Sequence, residues 1–371
     1  MKKNRIFALA LAAVLGLSSL IACNEVDIPD NTVLPENEPQ IGDTTTTPDG
    51  NQENDTEEKK GLDAYNWKYS DDEVLFTVGG EPVTFEMYRY YAMNSKAYYD
   101  NGDAAYWNDE TNNQYKNDII NEFKNLTAIK LLCNNDLGLK IDETDLKNME
   151  SSLEQLKTYI GEDALNTQLN NLYLDKELYT KMSEYDYLRE KLYRHFVTAD
   201  DIKAYAKENF VHVQHVLIST MDESNKELTG EAFDEKTALA NDIYKKATSG
   251  EDFYSLVEQY GEDPGMEGNP DGYTFTYNMM VKEFEEKSFE LEVGEISEPV
   301  KTPYGYHIIK KLPLDEEKFL DEQGEDFWNI LSFLGDKSVS ASVNEYKEKL
   351  EIVPTEKFNE LNMGNIGQLK K

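Results

Sequence analysis

The run from Phe210 to Leu312 constrains this chain most, because strand alternation, helix spacing and turn chemistry follow one another there without a gap. Val211 to Ser219 alternates as a buried strand does, which sets Val213, His215 and Leu217 on one face. Between Glu231 and Thr248, Leu239, Ile243 and Ala247 recur every four positions, a helix stripe ended by Gly250. A second helix puts Phe253, Leu256, Val257 and Tyr260 on one side. The loop after it, YGEDPGMEGNPDGYTF, is dense in Gly, Pro, Asp and Asn and is therefore built of turns. A short helix then presents Phe284 and Phe289. Two last strands meet across Pro303-Tyr304-Gly305 as a hairpin, with His307 and Ile309 on one face. The predicted order is β, two or three α, β, α, β, β in about 100 residues, enough for one compact α+β domain with a small mixed or antiparallel sheet and surrounding helices.

Three motifs stand in order along this run: HVLI at His215 to Ile218, MVKEFEEKSFELEVGEISEPV from Met280, and YGYHII from Tyr304. With them the segment, taken as residues 209–313, resembles the parvulin family of peptidyl-prolyl isomerases over its whole length. The resemblance implies that His215 and His307 are the paired histidines of a parvulin centre. Asp263 falls where members carry Asp or Cys, and Thr302 corresponds to the hydroxyl beside the histidines. Met280 and Phe284 match the proline-ring pocket, and Phe275 its aromatic floor. No cofactor and no metal is implied. The chain departs from the family where the usual Gly-Gly-Asp-Leu-Gly reads Asn269-Pro270-Asp271-Gly272-Tyr273, which displaces the apolar residue expected after the Asp.

Plainer readings compete at each position. A histidine on a strand face is also an ordinary core residue, Met280 is also ordinary core, and Asp263-Pro264-Gly265 is equally good turn chemistry. His212 and His215 lie three apart on a strand and so point to opposite faces, which argues against a shared metal.

At the N-terminus, Lys2, Lys3 and Arg5 precede an apolar run from Ile6 to Leu17, too short for an ordinary membrane-spanning helix. Residues 1–22 read as a secretory signal peptide. Its end, Leu20-Ile21-Ala22-Cys23, resembles the bacterial lipobox, which implies lipidation of Cys23 and an extracytoplasmic protein anchored to the cell membrane. Each buried acyl methylene adds about 0.8 kcal/mol, so the chains of a lipidated Cys would hold the protein without a protein span. Residues 23–70 read as a disordered acidic tether, since Asn24 to Lys60 has too few large apolar residues to order itself. As a flexible coil it would reach roughly 30–35 Å.

The charge balance excludes one class of partner. Lys plus Arg number 37 against 73 Asp plus Glu, a net charge of -36, so nucleic acid and anionic lipid are repelled. Only Cys23 and Cys133 are present, and a lipidated Cys23 leaves no disulfide, so stability must come from packing.

Ordered sequence is expected to resume near Asp72. Val74, Phe76 and Val78 alternate into Gly79-Gly80, and Thr84 precedes a helix carrying Met87, Tyr90 and Tyr91. Helical patterns continue to Phe196, so residues 71–208 form a helical arm similar to the chaperone arm of extracytoplasmic foldases that carry a parvulin domain. Beyond Leu312 the segment from Phe319 to Leu350 again has helical spacing. The resemblance implies that residues 314–371 return to the arm, which makes the isomerase domain an insertion; the tail beyond Pro354 is expected to be loosely held.

Rotating an X-Pro bond breaks nothing; its barrier of about 18–20 kcal/mol comes from amide resonance, and uncatalysed exchange takes tens to hundreds of seconds. The implied function is isomerisation of X-Pro bonds in unfolded or partly folded exported proteins, with chaperone activity. In the implied centre, His215, His307 and Thr302 form a hydrogen-bonded cluster that positions Asp263. The alternative is a catalytically idle, tethered holdase. The arm is also the expected surface for dimerisation.

Overall fold

The structure, a computed structural model, describes residues 61–370 apart from residue 102. The expected signal peptide, Cys23 and the expected tether up to residue 60 lie outside the described residues. The strands run, in chain order, β1 (Tyr65–Trp67), β2 (Val74–Val78), β3 (Glu81–Thr84), β4 (Val211–Ser219), β5 (Tyr273–Phe275), β6 (Val300–Thr302), β7 (Gly305–Leu312), β8 (Ile352–Pro354) and β9 (Gly367–Leu369). The chain divides into two compact units, one made of the described residues up to Thr198 together with those from Leu331 onward, the other of Ala199–Ile330. The architecture is α+β: an antiparallel-sheet domain set inside helical N- and C-terminal segments.

In the first unit both chain ends contribute to one core. Gly79 and Gly80, both with positive φ, turn β2 into β3, and β8 adds to the other edge with Thr77 opposite Val353. β1 pairs with β9, Asn66 opposite Gln368. Helices Phe85–Asp100, Asp109–Leu131, Glu143–Ile160, Glu162–Asn171 and Lys176–Phe196 carry the apolar stripes that cover this frame. Phe76, Phe85, Tyr88, Tyr91, Tyr115 and Phe123 are among its most deeply buried side chains. The tyrosines of the arm thus serve largely as packing.

Three expected boundaries are corrected here. The tail beyond Pro354 is not loose: Phe358, Leu361, Met363 and Ile366 are buried in the main core. The polar groups around them are matched as well. The Lys116 ammonium donates to the carbonyls of Asn359 and Leu361, and Asn112 both donates to Leu361 O and accepts from Met363 N. The tether also ends earlier than residue 70, because β1 takes β9 as its partner and Trp67 lies 5.0 Å beneath the Arg89 guanidinium. Finally, helix Ala199–Asn209, assigned from sequence to the arm, belongs to the second unit. The short helix Glu316–Leu320 packs on it there, with Phe210 against Phe319 at 4.7 Å and Lys203 bonded to Glu317 at 2.6 Å.

The second unit is a four-stranded antiparallel sheet in the order β5-β4-β7-β6. Strand period two sorts its residues onto two faces. Val216, Ile218 and Ile308 pack against helices Glu231–Thr248 and Phe253–Tyr260, through Ala240, Ile243 and Leu256. Val211, Val213 and Ile309 pack on the other side, with Phe275, Leu291 and Phe284 of helix Lys282–Glu290. His215 and His307 have the parity of this second face.

Candidate active site

Register places the two histidines. In the β4–β7 ladder His215 lies opposite Ile309 and Leu217 opposite His307, so the histidines sit on neighbouring strands one pair apart along a diagonal. Their ring centroids are 5.0 Å apart at 49°. Phe284 stands edge-on to both, 5.0 Å from His215 and 5.1 Å from His307. Phe275, from β5, lies 5.9 Å behind Phe284, and Met280 is half-buried in the same cluster. The Phe275, Phe284 and Met280 named from sequence are therefore gathered on the face that carries the histidines.

The polar groups form two linked sets. On the β6–β7 side, Thr302 Oγ1 and His307 Nε2 are 3.0 Å apart, both buried. The Tyr304 N–H donates to the same hydroxyl, whose other acceptor, Gly305 O, is more distant at 3.4 Å. The hydroxyl proton is best used on His307 Nε2, which leaves the ring proton on Nδ1. Burial, and secondarily the His215 ring, push the His307 imidazole down to about 3, so it is neutral at physiological pH.

On the β4–β5 side the second set is built around Asp263, the N-cap of the short helix Pro264–Gly268. Its Oδ1 accepts from Gly265 N at 2.9 Å and its Oδ2 from the Tyr273 hydroxyl at 3.0 Å. His215 Nε2 approaches Oδ2 at 3.1 Å, but off the ring N–H axis, so this is a close polar contact and not an aligned hydrogen bond. The His215 contact, then the Gly265 amide and the Tyr273 hydroxyl, hold the carboxyl down at about 2 against the opposing effect of burial. Asp263 is ionised throughout the physiological range.

The expected hydrogen-bonded cluster of His215, His307 and Thr302 is thus only partly formed. Thr302 and His307 are bonded; His215 meets Asp263 instead, and the two rings contact through their faces and edges. His215 Nδ1 and His307 Nδ1 are buried without a hydrogen-bond partner in the protein, which is costly unless another group uses them. His212 points elsewhere, its ring nitrogens 2.8 Å from Asp271 O and 3.1 Å from Pro313 O. Among the described residues no group of His, Cys, Asp or Glu is placed to hold a metal.

Tyr273 is the residue that sequence reasoning missed. The signal was the irregular Asn269 to Tyr273 loop: Gly272 has φ +106°, and a Cβ there would lie 2.4 Å from Val213 O. The apolar residue expected at that place has no room, and the following tyrosine carries the ring instead.

Comparison with known proteins gives the family of the domain and of the chain. Residues 196–312 match the family model described as the PPIC-type PPIASE domain, so this part of the chain is a parvulin-type peptidyl-prolyl isomerase domain. A foldase protein PrsA of Caldanaerobacter subterraneus subsp. tengcongensis is 31% identical over 303 residues, 78% of this chain and 88% of that relative. Foldase protein PrsA 4 of Bacillus cereus is 38% identical over 183 residues, a match that spans 48% of this chain and 59% of that protein, less than two thirds of its length. A crystal structure of the PrsA peptidylprolyl isomerase from Bacillus cereus is 25% identical, covering 75% of this chain and 90% of that one, with a TM-score of 0.29. The chain belongs to the PrsA foldase family.

Proposed function

We propose that the chain is a membrane-anchored extracytoplasmic foldase that isomerises X-Pro bonds in exported proteins and holds them while they fold. The observation that carries the reading is the juxtaposition of two buried imidazoles and one apolar wedge on a single sheet face, with one ionised carboxylate beside them. Phe284, Phe275 and Met280 supply a dry grip for a pyrrolidine ring. With the ring held, the rest of the peptide turns. As conjugation is lost the amide nitrogen gains a lone pair and the carbonyl turns with its flanking chain, so preorganised polar groups at the rim favour the twisted state over the planar one. His307, neutral and fixed by Thr302, serves as a hydrogen-bonding wall; a proton carrier would need a value nearer neutrality. Asp263 contributes a fixed negative field beside His215.

Anchoring rests on Cys23, which belongs to the residues outside the description, and on the naming of the relatives as foldases. No helix among the described residues is long and apolar enough to cross a membrane. A second reading, an idle holdase, is favoured by one observation: Gly272 stands where the family pattern has an apolar pocket residue.

A refolding assay separates the two. The chain from residue 24 should accelerate a proline-limited refolding reaction, and His215→Ala and Met280→Ala should each lose most of that acceleration. If the unaltered chain suppresses aggregation without speeding refolding, the holdase reading replaces the isomerase.

A further inference from the structure

Tyr273 has a place in the centre that the motif comparison does not assign. Its ring packs against the apolar clusters of both sheet faces and lies 5.7 Å from His215. Its hydroxyl donates to Asp263 Oδ2, the same oxygen that meets His215 Nε2. The fit around that hydroxyl is tight, since a Cβ on Gly265 would lie 2.1 Å from it. The neighbouring carboxylate, Glu262, is occupied by Ser219 N and Lys236 Nζ. The titratable groups around Asp263 are therefore His215 on β4, Tyr273 on β5 and, behind His215, His307 on β7.

We propose that Tyr273 is a positioning residue for isomerisation, its hydroxyl fixing the Asp263 carboxylate in the orientation that faces His215. The inference rests on the isomerase reading above. Without that hydroxyl, Oδ1 keeps the Gly265 amide, but Oδ2 is left with only the off-axis His215 contact. The carboxylate is then free to rotate toward water, and the field at the amide becomes variable. With Tyr273 each oxygen has an aligned donor. The preceding Gly272 makes this possible, because its backbone lies so close to Val213 that the side chain filling the space must come from the next residue.

Tyr273→Phe keeps the ring and removes only the hydroxyl. In a proline-peptide isomerisation assay on the full chain, the hydroxyl acts only through Asp263, so its loss should pass on part of the worth of a hydrogen bond to a charged group and lower kcat/KM by roughly three- to tenfold. The fall should lie in kcat, with KM little changed, and the acid limb of the pH profile should move up, since a donor that favours the carboxylate has gone. In an Asp263→Asn background the same substitution should have almost no further effect. An active parent whose Tyr273→Phe variant matches it in rate and pH profile overturns the proposal, as do effects that multiply in the double variant. A parent with no isomerase activity overturns the isomerase reading, and this role with it. Carbon-13 titration of the Asp263 carboxyl distinguishes the two failures: an unchanged titration in Tyr273→Phe shows that the contact itself is absent.

Discussion

Phe358 gives the sharpest test of the fold, because sequence reasoning left it in a loose tail while the structure makes it a keystone. Its ring lies 4.7 Å from Phe76 and 5.7 Å from Tyr88, with the Lys116 ammonium 4.6 Å over its face. Truncating a buried phenylalanine to alanine costs about 3–5 kcal/mol, from lost transfer energy and the cavity left behind. Ending the chain after Thr355 removes Leu361, Met363 and Ile366 as well. At about 1.5–3 kcal/mol each, the four side chains sum to about 6–12 kcal/mol. A whole domain is stable by only about 5–15 kcal/mol, so the truncation should unfold the first unit. Hydrogen exchange resolves the outcome by segment. In Phe358→Ala, amides of Val74–Val78 should lose protection by the amount of the destabilisation, while those of Val211–Ser219 keep theirs. Tyr98→Ala, at a side chain 88% exposed, should change neither by more than about 0.5 kcal/mol. If a chain ending at Thr355 retains full protection in Val74–Val78, the tail is not part of the core and the argument fails.

Three other outcomes are expected. Asp263 has its folded value depressed from 3.8 to about 2, so its stabilisation is full above pH 3.8 and is lost as pH falls through about 2. Asp263→Asn should cost at most about 2 kcal/mol in urea unfolding at pH 7 and almost nothing at pH 2; equal costs at both would show that the charge is not involved. His307 is held down to about 3, so between pH 6.5 and 3 the unfolded chain binds a proton that the folded one refuses, and stability declines as pH drops through that window. NMR of the ring should show it neutral at pH 5, and titration near 6.5 would contradict the buried placement. Gly272→Ala, with φ +106° and a Cβ 2.4 Å from Val213 O, should destabilise the second unit by at least about 2 kcal/mol; a thermal shift within error of zero would mean the loop is not held against β4.

The second unit was largely legible because its contacts are written in local patterns. Parity along Val211–Ser219 and Gly305–Leu312 sorts the residues within each strand, the family resemblance pairs His215 with His307, and the Pro303-Tyr304-Gly305 turn sets the hairpin; the common face of the two histidines comes from the β4–β7 register. The Asp263 environment was only half legible. A cap on Gly265 follows from Asp-Pro-Gly, but the Tyr273 hydroxyl reaches Asp263 from ten residues away through a loop whose course depends on the close approach of Gly272 to β4. In the first unit, helix stripes were readable and strand partners were not. Tyr65–Trp67 is too short to announce a strand by alternation, and its partner Gly367–Leu369 is as short.

The pairing of β2 with β8 has a consequence for biosynthesis. Val353 leaves the ribosome 276 residues after the Thr77 it will face, which at 5–20 residues per second is a delay of roughly 15–55 s. Through that interval the nascent amino-terminal half must keep an unsatisfied strand edge from pairing with neighbours, while Ala199–Ile330 already has every strand of its own sheet. The first unit can close its sheet only once β8 has been made.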